Sequence, residues 1–256
     1  MRTVVAMSSQ RPRLVAKLCD VQSNSALVTE FQEFRRKLFV DTLQWDLPVF
    51  GNLEIDQFDG ATATYCAIYA DAKLISGFRA IRCDHEYLAL SVFPQLATER
   101  PYPRAPDMWE ISRLGVHPPD LNIAGVTYAV MLHLARQRGA KALVALVDLC
   151  HERLLRQIGI KTRRYGSPQY IGNDRKGRRL TAVAGEIPIQ EQGGEGYEAL
   201  MDLLQTVEII DETLVFRPEV VQSGPAEVLP DSGGIGDRST GEAPSWAETY
   251  LVGNRS

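Results

Sequence analysis

The feature that most constrains this chain is a strand–helix–strand pattern in its middle. "MWEISRLGV" (residues 108–116) reads as a strand, and "AGVTYAVMLHLARQRG" (124–139) as a helix closed by a glycine. "ALVALVDL" (142–149) follows as an almost unbroken apolar run. A strand tolerates apolar residues on both faces only when both faces are covered, so it needs a layer above and a layer below. Further upstream, residues 62–70 and 73–83 are rich in β-branched and aromatic side chains and are parted by a short Asp-Ala turn, the pattern of an antiparallel hairpin. Helices alternating with such strands give the α/β class: an α-β-α sandwich around a mixed central sheet.

The remaining elements fit this frame. Residues 13–21 suit a first strand, and "SNS" (23–25) supplies helix-capping side chains. Leu27, Phe31, Phe34 and Leu38 then recur at helical spacing, so a helix runs to about Leu43 with that face buried. After residue 149 come a short basic helix, a hairpin with a polar turn over 169–187, and a closing helix over 196–207. The chain is expected to divide into an N-terminal extension (1–12), one domain (13–216), and a tail (217–256). That tail is rich in acid, glycine, proline and serine, and too poor in large apolar residues to offset its ordering entropy.

Charge is unevenly spread. Residues 181–256 hold 14 acidic and 3 basic side chains, leaving the first 180 with a surplus of seven positive charges. Two readings stand: a solvated surface with an acidic tail, or a cationic face for an acidic partner. Cys19, Cys66, Cys83 and Cys150 are scattered with no CxxC pair, which disfavours zinc and disulfides and suits a reducing cytoplasm. The start of the chain is too polar for a signal peptide, and no apolar run suits stable membrane insertion. Nothing in the pattern calls for nucleic acid.

GxSxG, P-loop and HExxH patterns are absent, the four histidines lie far apart, and no metal site is expected. What remains is a set of charges beside the strands: Arg35 on the first helix, Glu54, Asp56 and Asp59 in "EIDQFD", Arg79 in "GFRAI", and Glu110 with Arg113 in "WEISR". Such groups are costly to bury unless paired. They fit either structural salt bridges or a charged site. Glu110 and Arg113 lie three apart on one strand, so they are expected on opposite faces.

The order and spacing of Arg35, Phe39, Trp45, Asp56, Asp59, Arg79, Glu110 and Arg113 resemble the signature of the acyl-homoserine lactone synthases, the LuxI-type autoinducer synthases of bacterial quorum sensing. The resemblance covers about residues 13 to 210. It implies a fold similar to that of the GNAT N-acetyltransferases and a cytoplasmic acyltransferase without a cofactor. S-Adenosylmethionine would be a substrate and acyl carrier protein or acyl-CoA the acyl donor. The α-amine of S-adenosylmethionine would attack the thioester, and its carboxylate would then displace methylthioadenosine and close the lactone. Because both nucleophiles belong to substrates, the protein need only position, deprotonate and stabilise charge.

On that reading Glu110 is the base, Arg35 a fork for the substrate carboxylate, and Asp56 or Asp59 the partner of the sulfonium. Phe39 and Trp45 wall the pocket, and "WDLP" (45–48) folds over it. Arg79 and Arg113 join the ion network or bind substrate. The helix N-terminus near residue 122 would offer free amides to the donor arm. Its lack of a glycine-rich form favours a carrier protein, which Arg153, Arg156, Lys161, Arg163 and Arg164 would dock. Several relatives that favour 3-oxo chains carry threonine where Val147 aligns, so a chain without the 3-oxo group is expected. The competing reading is another GNAT-like N-acyltransferase acting on a different amine.

Overall fold

The structure, a computed structural model, describes residues 12–214. The expected acidic tail and all but the last residue of the expected N-terminal extension lie outside the described residues. Within them a mixed sheet runs in the order β11 (Val207–Asp211), β1 (Leu14–Cys19), β4 (Ala63–Ala70), β5 (Lys73–Arg82), β6 (Met108–Val116), β7 (Ala142–Val147), β10 (Arg179–Pro188) and β8 (Arg163–Arg164), with β9 (Gln169–Asn173) paired to β10. The β1–β11 and β6–β7 pairs are parallel and the rest antiparallel. A separate small hairpin joins β2 (Val49–Phe50) to β3 (Leu53–Glu54).

Helix α1 (Ser25–Arg35) and the short α2 (Leu88–Val92) contribute to one apolar layer, while α3 (Leu121–Gln137), α4 (Leu149–Gln157) and α5 (Glu195–Asp202) contribute to the layer on the opposite face. Asn24 caps α1 by accepting the Leu27 N–H at 3.0 Å, and Leu27, Phe31, Phe34 and Leu38 are buried as their spacing predicts. The helix continues past Arg35 as a π-helical stretch, Arg36–Thr42. It approaches the sheet closely because Gly77 has no side chain: a Cβ there would lie 2.6 Å from the Phe31 ring. The β4–β5 turn holds Asp71 and Ala72 at φ 48° and 68°, the doubly left-handed form whose twist matches antiparallel strands.

Two departures from the sequence reading matter for the site. The β6–β7 ladder pairs only Met108–Glu110 with Ala142–Val144. Beyond Val144 β7 is no longer paired with β6, and Ala145, Leu146 and Val147 are only half-buried. The run expected to be covered on both faces to residue 149 is therefore covered only as far as Val144. The strand ends at Val147, and Asp148 caps α4 by accepting the His151 N–H.

The second departure is a β-bulge. Register shifts between Gly77 and Arg79, so Arg113 and Leu114 together face Phe78, and Arg113 adopts φ 55°. That extra residue turns Arg113 onto the face occupied by Ser112 and Glu110, overturning the expectation of opposite faces. Strands β2, β3, β8 and β11 were not read from the sequence. Each is short, and β11 pairs only with β1 at the far end of the described chain.

Candidate active site

Six of the charged side chains form one buried lattice on the α1 face of the sheet. Arg35, Arg79 and Arg113 face Glu54, Asp56 and Asp59, with every one of these side chains at most 1% exposed. Arg35 donates through Nε to Glu54 at 2.5 Å and through both terminal nitrogens to Asp59 at 2.7 and 2.8 Å. Arg79 forks onto Asp56 at 2.5 and 3.1 Å, reaches Asp59 at 3.0 Å, and donates through Nε to Ser112 at 3.1 Å. Arg113 donates to both oxygens of Glu54 and lies 2.8 Å from Asp56.

Tyr65, directly across the β4–β5 ladder from Arg79, donates to Asp59 at 3.0 Å. Three cations balance three anions, which is the condition for keeping them out of water. Burial opposes the charge on each carboxyl, yet Arg113 and Arg35 hold Glu54 below the ordinary range. Arg35 and Arg79 hold Asp59 well below it.

These contacts correct several expectations. The Arg35 fork is filled by Asp59, so it is not open to a substrate carboxylate. Asp56 and Asp59 are committed to arginines, leaving no free charge for a sulfonium. Phe39 and Trp45 are buried and stacked on each other at 4.8 Å between ring centroids, so they pack the core and leave no slot between their rings. Arg79 and Arg113 do belong to the ion network. In "WDLP" Trp45 and Leu47 are buried, and the exposed Asp46 accepts a hydrogen bond from Arg175 at 3.0 Å as the chain runs into β2.

Glu110 stands apart from the lattice. It is 1% exposed, and its oxygens accept the Leu88 and Ala89 N–H groups at 3.0 and 2.7 Å, so it serves as the cap that α2 lacks locally. Loss of water outweighs these hydrogen bonds and the nearby Arg79, and pushes the carboxyl up to about 7. It occupies the last β6 position paired with β7, where the sheet begins to split. Beside the segment that carries Asp56 and Asp59 opens a cavity of about 410 Å³ lined in part by Phe58, Thr62, His85, Glu86 and Ser91. Phe58 connects the two, since its ring also lies against the Arg79 guanidinium at 5.7 Å.

The donor side is also altered. Asp120 Oδ1 accepts the Asn122 and Ile123 N–H groups at 2.8 and 3.1 Å, so the first turn of α3 does not offer those amides freely. Of the five basic residues expected to dock a carrier, Lys161 and Arg163 are drawn to Glu191 and Arg164 to Glu152, while Arg153 and Arg156 are exposed without an ion pair among the described residues. Val147 sits half-buried beyond the split, opposite Val183.

Sequence reasoning did not find Ser112, Tyr65 or Phe58. The alternation of β4 and β5 carries the signal for Tyr65, because it shares a face with Arg79. Nothing local announces that Leu88 and Ala89 would meet Glu110.

The mixed sheet thus splits between two helical layers, with a buried carboxyl where the strands part. A family model described as autoinducer synthase matches residues 20–192. Over 160 residues the chain is 33% identical to an acyl-homoserine-lactone synthase of Acinetobacter nosocomialis, covering 58% of this chain and 87% of that protein. Its fold is similar to that of BjaI, a CoA-dependent acyl-homoserine lactone synthase solved with MTA (TM-score 0.67, 18% identity, 77% of this chain and 93% of that one). It is also similar to TofI in a ternary complex with an inhibitor and MTA (TM-score 0.58, 28% identity, 70% and 90% covered). The chain belongs to the autoinducer synthase family, whose members are acyltransferases that make acyl-homoserine lactones.

Proposed function

We propose that this chain joins the α-amine of S-adenosylmethionine to an acyl thioester, with Glu110 accepting the ammonium proton, and then releases methylthioadenosine as the lactone closes. The observation that carries this reading is Glu110: a carboxyl held near neutrality at the edge of the split can take a proton directly or through one water. The lattice acts as positioning structure. It locks the segment carrying Asp56, Phe58 and Asp59 to β5 and β6, and so fixes the floor of the 410 Å³ cavity in which the S-adenosylmethionine end is received. Arg35, Arg79, Arg113, Glu54, Asp56 and Asp59 hold that floor, and Phe39 and Trp45 pack behind it.

The acyl chain enters between β6 and β7, where Val147 offers no hydroxyl to a 3-oxo group. Val147→Thr is expected to raise turnover of 3-oxo donors relative to unsubstituted ones. An acidic carrier protein approaching Arg153 and Arg156 is the favoured donor. No described helix is long and apolar enough to cross a membrane; a cytoplasmic reaction is part of this proposal, because S-adenosylmethionine and acyl thioesters are metabolites of that compartment.

Mass spectrometry of extracts from bacteria expressing the chain tests the reading. Acyl-homoserine lactones with the wild-type sequence and their loss with Glu110→Gln are expected. Undiminished lactone from Glu110→Gln would remove Glu110 from the mechanism.

A further inference from the structure

One part of the cavity lining, Phe58, belongs to the segment held by the ion lattice. Another part comes from the chain around α2: His85 and Glu86 precede the helix, and Ser91 lies on it. Glu86 Oε2 accepts the Ser91 hydroxyl at 2.6 Å, and Oε1 accepts Arg104 at 3.2 Å. Ser91 and Arg104 together hold the carboxyl below its ordinary range, so it remains an ionised acceptor.

A carboxylate presents about four lone-pair sites, and these contacts use two, so each oxygen has room for one more donor. The lattice carboxylates are sealed from solvent, whereas the Glu86 side chain is 64% exposed and lines the cavity. Among the described residues Glu86 is the one carboxylate of that lining, and no lysine or arginine shares it. Such a lining does not suit a phosphate. It suits a ligand that donates hydrogen bonds or carries positive charge.

We infer that Glu86 receives the two ribose hydroxyls of S-adenosylmethionine, and that Ser91 and Arg104 are positioning residues that fix its carboxylate. This rests on the reading above, which puts S-adenosylmethionine in this cavity. A ribose offers two neighbouring O–H donors, and an acidic side chain takes them as charge-assisted hydrogen bonds, the device by which dinucleotide folds hold a ribose. The position agrees with the chemistry. Glu110 holds the Leu88 and Ala89 N–H groups, and Leu88 lies only two residues past Glu86, at most about 7 Å along the chain. The ribose contact and the base are thus tied to the same short helix, so a nucleoside anchored at Glu86 sets where its amine meets Glu110. Methylthioadenosine keeps both hydroxyls, so Glu86 binds that product as well as the substrate.

Calorimetric titration of wild type, Glu86→Ala and Ser91→Ala tests the inference, with methylthioadenosine and its 2′,3′-dideoxy analogue as probes. The wild type is expected to bind the dideoxy analogue about tenfold more weakly, the order of a hydrogen bond to a charged group. Glu86→Ala should lose about the same tenfold for methylthioadenosine and then bind both probes equally, and Ser91→Ala should lose less. KM for S-adenosylmethionine should rise in parallel.

A dideoxy penalty in Glu86→Ala as large as in the wild type would overturn the role, as would unchanged affinity of that variant for methylthioadenosine. A raised KM for S-adenosylmethionine with unchanged methylthioadenosine binding would also overturn it, since the carboxylate would then serve the sulfonium, which methylthioadenosine lacks. Should Glu86→Ala fold poorly, the same two-probe comparison with Glu86→Gln decides the matter. Failure of the wild type to bind methylthioadenosine and to consume S-adenosylmethionine would instead refute the underlying reading.

Discussion

Glu110 and the lattice carboxylates have opposite pH signatures. Folding lifts the Glu110 carboxyl from near 4.5 to about 7, so the native state binds more protons than the unfolded chain between those values. Its contribution to stability is complete below about 4.5 and is lost as pH rises through about 7. Glu110→Gln should flatten that descent in urea titrations taken across pH. In activity the same group acts the other way, since only the ionised carboxylate is a base. The wild-type kcat/KM should rise with pH through about 7, and that limb should vanish in Glu110→Gln, with kcat down by about a hundredfold.

The depressed carboxyls Glu54 and Asp59 contribute stability above their ordinary range that is lost as pH falls below it. Arg113 shows which effect dominates in the lattice. Its φ of 55° favours glycine, so Arg113→Gly relieves about 1 kcal/mol of backbone strain. It also strips Glu54 of a buried partner, at a cost of about 3–5 kcal/mol. Net destabilisation is expected in denaturant melts, and a variant as stable as the wild type would mean the lattice carries little energy.

Among the elements, the bulge in β6 and the parting of β6 from β7 create the site, and both escape a period-two reading. Alternation assigned Arg113 to the wrong face because one inserted residue inverts everything after it. The continuous apolar run of β7 was correctly read as a core strand, but hydrophobicity does not reveal where its hydrogen-bonded neighbour departs. The helix stripe Leu27, Phe31, Phe34 and Leu38 was legible because four buried residues vote for one period. Glu54, Asp56 and Asp59 could be recognised as a charged group, but their pairing partners could not, since each partner comes from a distant element.

The β4–β5 hairpin offers a separate test of local conformation. Ala72 sits at φ 68° at a turn where glycine is at no disadvantage, so Ala72→Gly should raise stability by about 1 kcal/mol, read as a shift in the urea midpoint at unchanged slope. A lowered midpoint would show that the left-handed turn is not populated.

At the scale of the whole molecule, a mixed sheet parts between β6 and β7 with a helical layer on each side, and on the proposed reading the two substrates supply both nucleophiles. The positive surplus of the first 180 residues finds a use only if the donor is acidic. Replacing the exposed Arg153 and Arg156 by glutamate should raise KM for an acyl carrier protein donor severalfold at low salt and fade as salt screens the contact. KM for S-adenosylmethionine should stay the same in those variants, and a parallel rise would mean that α4 is merely disturbed. The measurement that tests the central claim most directly is the stoichiometry of the wild-type reaction with S-adenosylmethionine and an acyl thioester. Free thiol, methylthioadenosine and acyl-homoserine lactone should appear in equal amounts. Thiol release accompanied by an acylated amine, with no methylthioadenosine, would contradict it.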